Sequence, residues 1–190
     1  MRITGGIHKG RRIKVAANNS LLRPTRALIR EAYFSIIGNS FCQGRTFVDF
    51  FSGTGIMALE AMSRGANPVF CVEQDRKTVS VLQKNLDSLF DVEHSSSCTI
   101  LACSVQKSIS YFKKQKLQLD LAYIDPPYRE IESGISLLAE IYRAGLIDSG
   151  VRLALEHPSE INFTLGSPFT VLKQKKYGRT SLSLITVLRT

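Results

Sequence analysis

The chain has 190 residues, 44% of them hydrophobic, and this length supports one domain with a buried core. No apolar run approaches the roughly 20 residues that cross a bilayer, and the basic N-terminus lacks the apolar segment of a secretory signal, so we expect a soluble, cytoplasmic protein. The four cysteines and three histidines are scattered without the spacing of metal ligands, which predicts reduced thiols and no metal site.

The formal net charge of +9 is concentrated at the two ends of the chain. Residues 1–30 hold eight basic side chains and residues 161–190 hold five, with no acidic residue in either segment. Clustered Lys and Arg side chains bind nucleic acid by displacing the counterions of its phosphates. The ends therefore indicate a nucleic-acid partner, although an ordinary solvated basic surface has the same composition.

The first predicted elements are a hairpin and a helix. Residues 1–15 alternate around a glycine-containing turn, which predicts a β-hairpin. Residues 23–37 have the apolar spacing of an amphipathic helix, with Pro24 near its start. We therefore divide the chain into a basic N-terminal β-hairpin arm, residues 1–22, and a larger domain, residues 23–190.

From residue 45 onwards, strands and helices alternate. Predicted strands cover residues 45–51, 68–74, 98–103, 119–125 and 151–157, and predicted helices cover residues 55–65, 75–90, 104–115 and 134–145. Strict alternation predicts a parallel sheet with helices on both faces. Residues 168–188 form two β-rich runs around Gly178, which predicts a final antiparallel hairpin. The fold class is therefore α/β, with a mostly parallel sheet of seven strands.

A nucleoside site is predicted at the carboxyl ends of the first two central strands, where ligands of such sheets bind. The stretch VDFFSGTG places Asp49 on a strand and Gly53 and Gly55 in a tight turn, whose missing side chains let the backbone approach a ligand. Glu73 ends the next strand, and its two carboxylate oxygens can accept both hydroxyls of a ribose. The predicted cofactor-binding residues here are Asp49, Phe51, Ser52, Gly53, Thr54, Gly55 and Glu73.

Two cofactors fit these residues. GTGIMA, residues 53–58, matches the G-x-G-x-x-G/A pattern of NAD-binding proteins. Asp49 favours S-adenosyl-L-methionine, because a carboxylate beside the turn attracts the ammonium of a methionine moiety and repels a pyrophosphate.

The segment Asp125-Pro126-Pro127-Tyr128 ends the fourth strand in the same row, and we predict these four residues as catalytic. The exocyclic amine of a base is a poor nucleophile, so its methylation depends on positioning. Asp125 and the carbonyl of Pro126 can each accept an amine hydrogen, and the prolines fix that carbonyl because their φ is locked. Tyr128 can stack on the base. By itself, the tetrapeptide equally fits an ordinary exit from a strand into a turn.

In order and spacing, these segments resemble the small-subunit ribosomal RNA guanine-N2 methyltransferases of the RsmD type, which belong to the S-adenosylmethionine-dependent class with a Rossmann-like fold. The similar segments are MRITGGIHKGRRI, LRPTRALIREAYFSII, FVDFFSGTGIMALEAMSRGA, CVEQD, YIDPPY and KKYGRTSLSLI. The resemblance implies that residues 23–190 form the methyltransferase domain, with the glycine loop at the methionine part of the cofactor and Glu73 at its ribose. It also implies a polar residue at the adenine amine, where this chain has Ser104 in place of the usual Asp.

The resemblance further implies transfer of a methyl group to the exocyclic N2 amine of a guanine in 16S rRNA, with the small ribosomal subunit as partner. We expect a monomer. The predicted RNA-binding residues are Arg2, Lys9, Arg11, Arg12, Arg23, Thr25 and Arg26, of which those near residue 24 equally fit the simple start of a helix. Adenine N6 methylation of DNA, an NAD-binding oxidoreductase and a catalytically inactive RNA-binding relative remain as alternatives.

Overall fold

The computed structural model describes residues 1–14, 24–127 and 131–189, apart from the side chains of residues 24–26, Asn39 and Glu93. The strands are β1 (Phe47–Phe50), β2 (Val69–Val72), β3 (Cys98–Leu101), β4 (Leu121–Ile124), β5 (Arg152–Pro158), β6 (Phe169–Tyr177) and β7 (Thr180–Val187). The α-helices are α1 (Pro24–Ile37), α2 (Ile56–Ser63), α3 (Arg76–Leu89), α4 (Val92–Ser95), α5 (Val105–Lys114) and α6 (Ile131–Arg143), and a short 3-10 helix covers Asn39–Cys42.

All seven strands belong to one sheet, in the order β3-β2-β1-β4-β5-β7-β6. Strands β1 to β5 are parallel, and β7 lies antiparallel between β5 and β6. The predicted α/β fold, with its mostly parallel sheet and C-terminal antiparallel hairpin, is confirmed. Strand order reverses between β1 and β4, because the chain runs outward to β3 and then crosses back to the other side of β1. Such a reversal leaves a crevice at the carboxyl ends of the strands.

Helices bury both faces of this sheet, and every residue of β1, β2 and β4 is buried. Phe47 packs in a core cluster with residues of α1, α2 and α3, whereas its neighbour Val48 packs in a second cluster with residues of α5 and α6. Alternate residues of a strand point to opposite faces. Asp49 therefore shares the α1 and α2 face with Phe47, and Tyr123 of β4 packs in that same cluster.

The N-terminal segment packs on α2 and α3. Its two sides meet in an isolated antiparallel bridge between Arg2 and Arg12, and Ile3 and Ile13 are buried in the core. The two-domain division stays a prediction, and residues 15–22 of the predicted arm lie outside the described residues.

The buried carboxylate of Glu60, on α2, holds the N-terminal segment and α1 together. Glu60 is 0% exposed and accepts hydrogen bonds from the backbone N–H of Thr4 at 2.7 Å and from Nε of Arg30 at 2.9 Å. Arg64 donates to the other oxygen of the same carboxylate. A buried charge is tolerated when it is paired and hydrogen-bonded in this way.

Three helical features differ from the sequence expectation. The 3-10 helix and the four-residue α4 were not predicted, and α6 begins at Ile131, three residues before the predicted start at Gly134. Elements of one turn are too short to show a hydrophobic period. No helix among the described residues is long and apolar enough to cross a membrane.

Candidate active site

A cleft of about 990 Å³ lies at the carboxyl edge of the sheet, where the strand order reverses. Its walls come from the loops after β1 to β4, from β5 and from the turn between β6 and β7. The lining residues include Phe51, Glu73, Ser104, Asp125, Pro126, Pro127, Glu156 and Arg179. Residues predicted separately for a cofactor and for catalysis therefore share one cavity. Asp49 and residues 52–55 lie outside that lining.

The glycine turn after β1 is built from unusual backbone conformations. Gly53 and Gly55 have φ of 55° and 83°, in the left-handed region, and Phe51 has a φ of 65°. A Cβ on Gly55 would lie 2.9 Å from Cγ of Leu82, whereas one on Gly53 would meet nothing within 4 Å. Gly55 is thus required by packing and Gly53 by conformation. Strain at a non-glycine residue such as Phe51 is concentrated at functional sites.

Glu73 ties this turn to the next strand. One of its oxygens, Oε2, accepts the backbone N–H of Gly53 at 2.9 Å, and Oε1 accepts the N–H of Asp75 at 2.8 Å. An ionised carboxylate has about four lone-pair sites, so capacity for two ribose hydroxyls remains. The two backbone bonds fix the carboxylate, which lines the cleft, and such preorganisation lowers the entropic cost of binding a ligand.

Asp49 is a buried acid at the base of the glycine turn, with only 2% of its surface exposed. Its carboxylate accepts the backbone N–H of Ala58, at 3.3 Å, near the start of α2. Burial raises the pKa of Asp49 well above its usual range, and the negative charges of Asp125 and Glu73 raise it further. A cation placed here would relieve that repulsion, which supports the predicted role toward an ammonium group.

Ser104 is the residue before α5, and it lines the cleft as predicted. Its hydroxyl makes no capping hydrogen bond to that helix, so it can turn toward a ligand. Among the described residues, no group of three or more His, Cys, Asp and Glu side chains could hold a metal ion.

The segment after β4 is held by close packing. Pro126 is buried, and a Cβ on Gly134 of α6 would lie 2.9 Å from its Cγ and 3.0 Å from Cδ1 of Leu155. Only a glycine lets α6 approach this closely, so the proline and its carbonyl have a fixed position. Tyr128 lies outside the described residues, and its stacking role stays a prediction.

Two residues of the cleft region were missed by the sequence reasoning. Tyr123, on β4, is 2% exposed, and its hydroxyl donates a hydrogen bond to Oε1 of Glu156, on β5. A signal was present, because Glu156 is the one acidic residue in VRLALE, a run that is apolar apart from Glu156 and Arg152. The role of Glu156 depends on which strand pairs with β5, and the sequence pattern does not show that pairing.

The predicted RNA-binding residues of the N-terminal segment are exposed: Arg2, Lys9, Arg11 and Arg12. Arg2 and Arg11 also have structural bonds. Arg2 donates to the carbonyl of Gly10 at 2.7 Å, and Arg11 donates to the carbonyls of Ser88 and Leu89 at the end of α3. Arg23 and the side chains of Thr25 and Arg26 lie outside the described residues, so RNA contact by the whole set stays a prediction.

Comparison with known proteins gives one family. The family model described as Conserved hypothetical protein 95 matches residues 1–186. The ribosomal RNA small subunit methyltransferase D of Haemophilus influenzae is 29% identical over 190 residues, covering 97% of this chain and 92% of that protein. The protein of the same name from Buchnera aphidicola subsp. Acyrthosiphon pisum is 31% identical over 140 residues, covering 72% and 68%.

Solved structures share the fold. A hypothetical protein of Thermus thermophilus, TTHA0928, matches with a TM-score of 0.77 and 29% identity, covering 98% of this chain and 99% of that one. SMU.776, solved in complex with SAH, matches with a TM-score of 0.66 at 15% identity, covering 87% of this chain and 50% of that one, and shows the fold alone. Because the family model matches residues 1–186 and these relatives agree with it, the chain belongs to the family described as Conserved hypothetical protein 95, which is the family of the RsmD-type methyltransferases.

Proposed function

We propose that this protein transfers a methyl group from S-adenosyl-L-methionine to the exocyclic N2 amine of a guanine in 16S rRNA of the small ribosomal subunit. One observation carries the proposal. Phe51, at the start of the glycine turn, and Glu73, which bonds to that turn, line the same cleft as Asp125, Pro126 and Pro127, so that a nucleoside cofactor and an amine acceptor can meet there. The relatives named ribosomal RNA small subunit methyltransferase D supply the substrate class.

The cofactor follows from the charges on the donor side of the cleft. Asp49, Glu73 and Asp125 place three carboxylates near one another, since the latter two raise the pKa of Asp49. A sulfonium and an ammonium are attracted to such a group, whereas the pyrophosphate of NAD is repelled. We assign the ammonium to the side of Asp49, the ribose to Glu73 and the adenine to the pocket beside Ser104. Phe51, with residues 52–55, forms the turn around the methionine moiety.

The acceptor chemistry uses the loop after β4. Asp125 and the backbone carbonyl of Pro126 each accept one hydrogen of the amine, which turns the nitrogen lone pair toward the methyl group. Both acceptors also stabilise the positive charge that grows on nitrogen during attack. Asp125 or solvent then takes the proton, which is far more acidic after methylation. Pro127 extends the rigid segment, and Tyr128 stacks on the extruded base.

RNA reaches the cleft through basic side chains outside it. Arg2, Lys9, Arg11 and Arg12 lie exposed on the N-terminal segment and are suited to phosphates. We assign Arg23, Thr25 and Arg26 to the same contact surface. We further propose that the protein acts as a monomer in the cytoplasm, where small subunits assemble.

The proposal is tested by transfer of labelled methyl groups to three acceptors: small ribosomal subunits, naked rRNA and duplex DNA. After digestion to nucleosides, we expect the label in N2-methylguanosine from rRNA, with none in DNA. Label in N6-methyladenine of DNA would overturn the guanine assignment. Calorimetry in parallel should show binding of S-adenosyl-L-methionine at a ratio of one to one, and binding of NAD alone would refute the cofactor.

A further inference from the structure

Glu156 is a carboxylate on the acceptor side of the cleft that the proposed transfer does not use. It lies on β5 directly after the buried Leu155, and it lines the cleft together with Asp125. Strands β4 and β5 are parallel, with Ile124 opposite Leu155. The following residues, Asp125 and Glu156, therefore come side by side. Neighbouring strands are about 4.8 Å apart, so both carboxylates can reach one edge of a base.

Tyr123 fixes the position of Glu156 from below. Its hydroxyl donates to Oε1 of Glu156, and its ring packs edge-to-face on Tyr33 with centroids 5.2 Å apart. Burial, and then the charges of Glu156 and Asp125, raise the pKa of Tyr123 well above its usual value. The hydroxyl therefore keeps its proton and acts toward Glu156 as a donor. Because a carboxylate offers about four lone-pair sites, this orienting bond is compatible with acceptance of a further hydrogen by Glu156.

Guanine presents two adjacent donors on its Watson–Crick edge, the N2 amine and the N1–H. Adenine and 2-aminopurine present a lone pair at N1, which a carboxylate repels. A second acceptor beside Asp125 thus matches guanine and opposes bases without the N1 hydrogen. Sites built around a hydrogen bond to a substrate discriminate strongly against analogues that lack it.

We propose that Glu156, positioned by Tyr123, selects guanine by accepting the N1–H of the target base while Asp125 and the carbonyl of Pro126 orient its N2 amine. The inference rests on the proposed guanine-N2 transfer and adds to it a specificity-determining residue. No covalent bond forms or breaks at Glu156, which neither gains nor loses a proton in the reaction.

The test compares Glu156→Gln with Tyr123→Phe and with the control Glu140→Gln, on α6, which lies outside the cleft. Acceptors are small subunits reconstituted with rRNA that carries either guanine or 2-aminopurine at the nucleotide that the wild type modifies. Glutamine keeps the shape and can still accept from Tyr123 through its amide oxygen. The melting temperature of Glu156→Gln and its affinity for S-adenosylhomocysteine should therefore stay at wild-type values.

We expect Glu156→Gln to lower kcat/KM on guanine by about 10- to 150-fold, the usual effect of losing a charge-assisted hydrogen bond. Its preference for guanine over 2-aminopurine should narrow, because the amide NH₂ can donate to N1. Tyr123→Phe should give a smaller loss in the same direction. A wild-type protein that forms no N2-methylguanosine refutes the proposed function itself. If it does form that product, wild-type kcat/KM in Glu156→Gln, or an equal loss on both acceptors, overturns the role of Glu156.

Discussion

Replacing Glu73 with glutamine tests the part of the site that we assign to the methyl donor, S-adenosyl-L-methionine. Its oxygens accept the N–H groups of Gly53 and Asp75 at 2.9 and 2.8 Å, and each has a lone pair left for a ribose hydroxyl. Glutamine replaces one of the two acceptor oxygens with an NH₂ group. One hydrogen bond from the ribose is then lost, and one backbone N–H faces a second donor. A bond to a charged group contributes about 1.5–3 kcal/mol, so the Kd for S-adenosyl-L-methionine should rise roughly 10- to 150-fold.

Isothermal titration calorimetry of Glu73→Gln measures this Kd, with Glu140→Gln as the matched control away from the cleft. Chemical denaturation on the same samples should show a loss in free energy of unfolding of about 1–3 kcal/mol, from the backbone N–H left without an acceptor. An unchanged Kd in a folded Glu73→Gln protein would refute the ribose assignment. Weakening by Glu140→Gln to the same degree would show that the effect is not specific to the site.

Three further predictions test other parts of the molecule. Asp125→Ala should keep cofactor affinity in calorimetry and abolish labelled methyl transfer to small subunits; near wild-type transfer would remove Asp125 from the mechanism. Because the pKa of Asp49 is raised in the folded protein, binding of a cationic cofactor below that pKa should release a proton and tighten as the pH rises toward the pKa. Calorimetry in buffers of different ionisation enthalpy measures the proton release, and Asp49→Asn should eliminate it. No proton release by the wild-type protein would contradict the prediction. Glu60→Gln should lower the free energy of unfolding by about 3–5 kcal/mol in urea, because Arg30 and Arg64 lose a buried charge partner. An effect as small as that of Glu140→Gln would exclude this structural role.

The architecture could be predicted because its signals are long and local. The parallel strands are short, mostly apolar runs that alternate with helices as far as β5, and the final hairpin shows as two β-rich runs around Gly178. The 3-10 helix Asn39–Cys42 and helix α4 are single turns of four residues each, too few for a hydrophobic period to appear in the sequence. The position of β7 between β5 and β6 depends on pairing across the sheet.

The site residues also divide into those that a local pattern reveals and those that only the pairing of strands brings together. The glycine turn and Asp125-Pro126-Pro127 form recognisable local patterns, so their places after β1 and β4 could be predicted from the sequence, while their roles stay predictions. Glu73 could be placed because it ends the strand that follows the turn. Glu156 could not, since its relation to Asp125 arises only when β5 pairs with β4. The close contact between Gly134 and Pro126 is likewise invisible in a sequence that only shows a glycine in a helix.

The distribution of acidic groups in the cleft is suited to the course of methyl transfer. In the proposed reaction, one positive charge moves from the sulfonium of S-adenosyl-L-methionine to the nitrogen of the base. Glu73 and Asp49 lie beside the glycine turn, on the side that we assign to the cofactor, while Asp125 and Glu156 lie side by side where β4 ends next to β5. As the charge moves, its attraction to the second pair grows while its attraction to the first declines. Only interactions that strengthen in the transition state accelerate a reaction, and fixed carboxylates need no reorganisation at that moment. The acceptor pair is therefore the part of the site in which a loss of charge should lower kcat, whereas a loss at Glu73 should appear as weaker cofactor binding.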